Sequence, residues 1–122
     1  MKKILLFGII ALSLNSCKFI EKGISFVIQN ESKFTLEKVR FSTSENLAVM
    51  KFDKIEPKES VSDFLTMKEN KSDGTYLLEF TRNGKKETKS YGYYTNGGAL
   101  DARVKFEIKN DTIITESSGF RY

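Results

Sequence analysis

Histidine is absent from the chain, tryptophan is absent, cysteine occurs once, at Cys17, and proline once, at Pro57. Each scarcity removes a class of chemistry. A single cysteine forms no intrachain disulfide, and without histidine no Cys/His zinc site can be assembled. A Ser-His-Asp triad or a Cys-His pair is excluded on the same ground. No cofactor is expected. The lone proline leaves most of the chain free to enter sheets.

What is present is a chain of 122 residues, 39% hydrophobic and 30% charged. That balance belongs to a folded domain and not to a disordered segment. The formal charge of +4 overstates how basic the body of the chain is. Lys2 and Lys3 lie in the N-terminal leader; without them 18 basic and 16 acidic side chains remain, a net of +2. Lys and Glu alternate along the chain as on a solvated face, so nucleic acid is not an expected partner. The Lys85-Lys86 pair is expected in a turn, where it aids solubility.

The first residues form one unit. Met1-Lys2-Lys3 is a positive n-region, and residues 4–14 are apolar apart from Gly8 and Ser13. About 20 apolar residues are needed to span a bilayer, so this run is too short and fits an export signal. Leu14-Asn15-Ser16-Cys17 follows. These four residues resemble the lipobox of bacterial lipoproteins, with Asn15 a less common occupant of its position. The resemblance implies a diacylglyceryl group on the Cys17 thiol and cleavage between Ser16 and Cys17. It also implies acylation of the new amino group and a domain tethered to the membrane. Lys18 replaces the Asp that would signal retention at the inner membrane, which directs the expectation to the outer membrane. Domain limits follow: residues 1–16 signal peptide, 17–22 lipidated tether, and 23–122 folded domain, 106 residues from Cys17 onward.

From Gly23 the governing period is two. Ala102, Val104, Phe106 and Ile108 alternate with Arg103, Lys105, Glu107 and Lys109, the pattern of a half-buried strand. Tyr76, Leu78 and Phe80 alternate likewise, as do Ile24, Phe26 and Ile28. Asn83-Gly84 suits a two-residue hairpin because both positions tolerate positive φ. Asn96-Gly97-Gly98 and Asn110-Asp111 close two more turns, so residues 75–116 are expected to form a four-strand meander. Leu47 and Val49 are out of phase with Met50 and Phe52, which calls for a bulge or a strand that changes sheets.

The expected fold class is all-β: an antiparallel β-sandwich of about seven to eight strands, following a cleaved N-terminal signal helix. The segments Ile28-Gln29-Asn30-Glu31-Ser32, then Leu36 and Val39, then Ile55-Glu56-Pro57-Lys58-Glu59-Ser60-Val61 resemble Ig-like and related sandwich domains of bacterial envelopes. That likeness is one of style over the whole domain, and the Cys…Trp…Cys signature of antibody domains is absent. A small outer-membrane barrel is the rival architecture, although strands of six or seven residues fall short of the 9–11 that cross a bilayer.

The most distinctive segment is Tyr91-Gly92-Tyr93-Tyr94-Thr95-Asn96-Gly97-Gly98. Tyrosine rings stack on sugar faces and glycines allow close approach, so Tyr91, Tyr93, Tyr94 and Asn96 are candidate ligand-binding residues. The structural alternative has Tyr91 and Tyr93 sharing a face in or beside the core, with Tyr94 pairing across strands. Asp53, Asp63, Asp73, Asp101 and Asp111 fall near strand ends, but no dense acidic loop makes them a calcium site. Asp63 with Glu79 is the imaginable carboxylate pair of a glycosidase. Asn30-Glu31-Ser32 and Asn110-Asp111-Thr112 match glycosylation triplets and are read as turn chemistry. The functional expectation is a non-catalytic binding or interaction module of the cell envelope, with the membrane as one partner through its lipid and an envelope protein or glycan as the other. A glycan-binding accessory and a carboxylate enzyme acting on envelope polymers are the alternatives. The oligomeric state is open, because an unpaired sheet edge admits pairing.

Overall fold

The computed structural model describes residues 22–120, with the backbone alone described at Phe120. The signal peptide, Ser16, Cys17 and most of the tether lie outside them. Nine strands run in chain order: β1 (Gly23–Asn30), β2 (Leu36–Thr43), β3 (Val49–Ile55), β4 (Ser60–Thr66), β5 (Gly74–Arg82), β6 (Lys85–Thr95), β7 (Gly98–Ala99), β8 (Asp101–Ile108) and β9 (Ile113–Phe120). They form two open sheets, β4-β1-β8-β9 and β3-β2-β5-β6-β7, packed face to face as a sandwich and not closed into a barrel.

Period-two burial builds the core. Ile24, Phe26 and Ile28 of β1 and Val104, Phe106 and Ile108 of β8 face Val39 and Phe41 of β2 and Tyr76, Leu78 and Phe80 of β5, all fully buried. Complete burial of each such side chain contributes about 1.5–3 kcal/mol. Phe26 and Phe41 stack between the sheets with centroids 4.3 Å apart. Phe106 meets Phe41 edge-on at 5.8 Å, and Tyr76 stacks on Phe41 at 5.9 Å.

The expected meander of residues 75–116 is not what forms. β5, β6 and β7 are hairpin-linked, with Asn83-Gly84 and Asn96-Gly97 at positive φ as two-residue turns require. The chain then leaves that sheet, and β8 enters the other one, parallel to β1 and antiparallel to β9. Val104, Phe106 and Ile108 thereby cover the apolar face of β5 instead of extending its sheet. Lys85 and Lys86 open β6 and are not in the turn.

The irregular phase in the first half has a different cause from either one expected. β3 carries no bulge: Leu47 belongs to the turn before it, and Val49 faces outward. The bulge lies in β2 between Glu37 and Arg40, with Lys38 at φ 50°. A second bulge corrects the tyrosine register. Tyr76 pairs with Tyr91 and Gly74 with Tyr94, so Gly92 and Tyr93 together stand opposite Thr75. Gly92 has φ +83°, the left-handed conformation that opens a glycine bulge. Tyr91 and Tyr94 therefore turn inward, and Tyr93 turns out.

Gly92 is constrained twice, since a Cβ there would lie 2.8 Å from the buried Tyr76 ring. Gly92→Ala should destabilise the domain by about 2–3 kcal/mol. Gly84→Ala, where φ is also positive but a Cβ meets nothing within 4 Å, should cost only about 1 kcal/mol. Urea unfolding of the two variants side by side checks the difference.

Candidate functional site

Strand direction sorts the connections to two ends. β1 and β8 run upward together, and their neighbours β4 and β9 run down. Reversals 31–35, 56–59, 83–84 and 109–112 all fall at the upper end. The start of β1, turn 44–48, loop 67–73 and turn 96–97 fall at the base.

The tyrosine segment is at the base, and its members are not brought together. Tyr94 is buried, 5.5 Å centroid to centroid from Tyr76, and its hydroxyl donates to Glu45 Oε1 at 3.0 Å. Tyr91 is half-buried against Phe106 at 6.3 Å, with its hydroxyl 3.3 Å from Ser117 Oγ. Tyr93 is 48% exposed and donates to Asp73 Oδ2 at 3.3 Å. The exposed Asn96 gives its backbone N–H to the other Asp73 oxygen at 2.9 Å. A ring with no exposed surface cannot stack on a ligand, so Tyr94 acts as core. Of the four candidates, only Tyr93 and Asn96 present themselves openly to solvent.

The aspartates are likewise dispersed. Asp63 is on the edge strand β4 of one sheet, whereas Glu79 is on β5 of the other and ion-paired with Arg40 at 3.2 Å. They form no facing pair. Among the described residues no three carboxylate, cysteine or histidine side chains group as metal ligands.

The upper end holds an arrangement that reading along the chain did not assemble. An open cleft of about 330 Å³ is lined by Phe34, Arg82, Asn83, Lys85, Glu87, Asn110 and Asp111. Arg82 continues the inward phase of Tyr76, Leu78 and Phe80, so its guanidinium enters the end of the core. Its side chain is only 9% exposed. Nε and Nη2 donate to the Glu87 carboxylate at 2.5 and 3.1 Å, Nη1 donates to the Lys109 carbonyl at 2.5 Å, and the group lies 5.7 Å from the Phe80 ring centre. A buried guanidinium needs such pairing to be tolerated. Lys85 and Asp111 add one charge of each sign at the rim.

Phe34 is presented by a loop with little freedom. Asn30, fully buried, donates to the carbonyls of Phe34 at 2.8 Å and Ile55 at 2.9 Å, while its Oδ1 accepts from Ser32 N and Oγ at 3.0 and 2.7 Å. Its backbone joins Glu59 and Lys58 at 2.9 and 2.7 Å. Asn110 Oδ1 accepts from Lys33 N at 2.8 Å, and Lys109 pairs with Glu31. The Thr35 hydroxyl, 2.7 Å from Glu56, holds that carboxyl below its usual range. Three of the four upper reversals are thus cross-linked around one asparagine, and a ring left 39% exposed sits on that frame. Ordering a loop before a ligand arrives lowers the entropy cost of binding. The signals were in the sequence: Arg82 in an apolar phase, and the Asn30 and Asn110 triplets. Nothing local says that these turns share one end.

No family model and no curated protein matches the chain. Among solved structures, an NMR structure of a protein from Eubacterium rectale is similar with a TM-score of 0.51 at 9% identity. It covers 84% of this chain and 95% of that one. At such identity the likeness speaks for the fold alone.

Two outcomes test this description. Asn30→Ala removes the side-chain donor to the Ile55 and Phe34 carbonyls and the acceptor of Ser32 N and Oγ, and should cost about 2–4 kcal/mol in urea unfolding. Burial is the main cause that raises the Tyr94 phenol, and the Asp73 charge raises Tyr93. The unfolded chain then loses these protons first, at about pH 10. Stability should be whole below that pH and fall as pH climbs toward the higher folded values. Tyr94→Phe should flatten part of that fall in thermal melts between pH 9 and 11, roughly bracketing free tyrosine.

Proposed function

We propose that the chain is a bacterial lipoprotein of the cell envelope, anchored through Cys17, whose role is recognition without catalysis: its Ig-like or related sandwich holds an envelope partner at the upper cleft. The outer membrane is the proposed site of anchoring. The observation that carries the reading is the opposition of the two ends. Lys22, five residues after Cys17, enters at the base, whereas the cleft and Phe34 lie at the far end of β1. Eight residues of strand place them roughly 26 Å further from the anchor.

The chemistry of the cleft suits recognition. Glu87 is committed to Arg82 through both oxygens, so the strongest charges there neutralise each other. What remains for a partner is an aromatic face, the Asn83 and Asn110 side chains and balanced rim charge. That set fits a polar protein segment, in which an exposed ring serves as the anchoring contact. A glycan offers similar hydrogen-bonding groups, and the same experiment registers it.

Metabolic labelling of the full chain with a radioactive fatty acid should mark it and recover it with membranes. Cys17→Ala should lose the label and release the protein. A photo-crosslinking amino acid at Phe34 should yield a discrete adduct in intact cells, and one at the exposed Ser90, further down β6 opposite Leu77, should not. Membrane recovery without any Phe34 adduct across several growth conditions would sink the recognition site.

A further inference from the structure

Five large hydrophobic side chains stand exposed among the described residues: Phe34, Leu47, Val49, Tyr93 and Ile114. Phe34 and Ile114 are at the upper end. The other three belong to the base of one sheet: Val49 and Tyr93 face its outer side, and Leu47 is in the turn that joins β2 to β3. The register shows how closely. Ser44 and Thr75 are joined by a 2.9 Å backbone bond, and Thr75 stands opposite Gly92 and Tyr93. Leu47 lies in the turn that begins at Ser44. Val49 sits one row higher, opposite Ser42. Leu47, at 52% exposure, and Tyr93, at 48%, thus come from the two elements that border the Ser44–Thr75 contact, with Val49 one row up at 39%. With strands about 4.8 Å apart, the patch is roughly 10–15 Å wide.

We propose that this apolar rim rests in the interfacial layer of the bilayer to which the protein is anchored, so that the domain is seated on the membrane and not merely leashed to it. The inference depends on the Cys17 lipid anchor. The length of chain between the anchor and the base argues for it. Residues 18–22 reach at most about 17 Å, so a lipid on Cys17 keeps the base within that distance of the surface. Tyrosine favours the headgroup layer, where its ring meets hydrocarbon and its hydroxyl stays wet. A few apolar side chains alone hold a soluble protein weakly, but a tether converts their contact into an intramolecular event at high effective concentration. Charge contributes little to the contact: Lys22, Lys68 and Lys71 at the base stand with Glu45, Glu69, Asp73 and Asp101, a net of −1. The seating is accordingly insensitive to salt. It also fixes the outer side of one sheet toward the lipid and turns the upper cleft away.

The absence of tryptophan makes the test direct. Leu47→Trp and Tyr93→Trp each install a single reporter in the lipidated full-length chain, and Phe34→Trp is the control at the other end. Each is reconstituted into phosphatidylcholine vesicles with and without brominated acyl chains. The expected result is a blue-shifted emission and severalfold bromine quenching at positions 47 and 93, unchanged by salt, with position 34 unquenched. In the Tyr93→Trp chain, adding Leu47→Asp should abolish most of that quenching, which shows that the native leucine contributes. A chain that floats with the vesicles while positions 47 and 93 stay unquenched overturns the seating and leaves the anchor intact. Quenching at position 34 instead overturns it as well. Failure of the wild-type chain to acquire lipid or float overturns the anchor reading itself, and the seating with it.

Discussion

Phe41 is the ring on which the two sheets meet. It lies on β2, stacks against Phe26 of the opposite sheet, takes Phe106 of that sheet edge-on, and stacks on Tyr76 of its own sheet. Tyr76 passes the contact to Tyr94, Phe106 to Tyr91, and Phe26 to Phe52. Pairs of this kind add about 0.5–1.5 kcal/mol each beyond burial. A domain of this size has a total stability of only about 5–15 kcal/mol, so the network is a large share of what holds the sheets in register. It also explains the irregularities. Tyr91 and Tyr94 are three residues apart and would face opposite ways on a regular strand. The Gly92 bulge puts both into the network, and the ejected Tyr93 becomes surface.

The upper end relies on a different interaction. Aromatic packing stops at Phe80, and beyond it Arg82 brings a charge into the end of the core. Asn30 and Arg82 then do for the turns what the rings do for the strands. Each is buried, each satisfies carbonyls from a distant part of the chain, and together they tie the reversals after β1, β3, β5 and β8 into one surface. A loop end stabilised by buried polar groups is directional in a way that apolar packing is not, because each hydrogen bond specifies an angle as well as a distance. That directionality holds Phe34 out of the core.

Strand existence was legible because alternation is a local signal. Tyr76, Leu78 and Phe80, or Val104, Phe106 and Ile108, announce an inward face whatever they pack against. The Asn83-Gly84 and Asn96-Gly97 turns were legible because their backbone needs positive φ. Sheet membership was not. The pairing of β8 with β1 joins residues about eighty apart, and no pattern inside either strand distinguishes a parallel neighbour from an antiparallel one. The tyrosine faces were not legible because one inserted residue inverts the alternation after it, and whether Gly92 is an ordinary strand residue or the start of a bulge depends on Tyr76 across the ladder. The cleft was hidden for the same reason: its residues come from three separate turns whose shared end is a property of the topology.

The same topology separates two demands that a tethered recognition domain must meet. Contact with a bilayer rewards apolar surface and tolerates loose geometry, since lipid adapts to whatever is inserted. Contact with a specific partner rewards fixed geometry and balanced charge. In the proposed arrangement the chain divides these between its ends. Leu47, Val49 and Tyr93 give the base its exposed apolar side chains, and Phe34 stands at the other end on a frame of buried hydrogen bonds. An odd number of reversals along β1 to β5 would have mixed the two sets of loops. Up and down strands alternate from β1 to β7, and β8 keeps the direction of β7, so the reversals that carry Asn30, Arg82 and Asn110 all lie away from the end at which Lys22 enters.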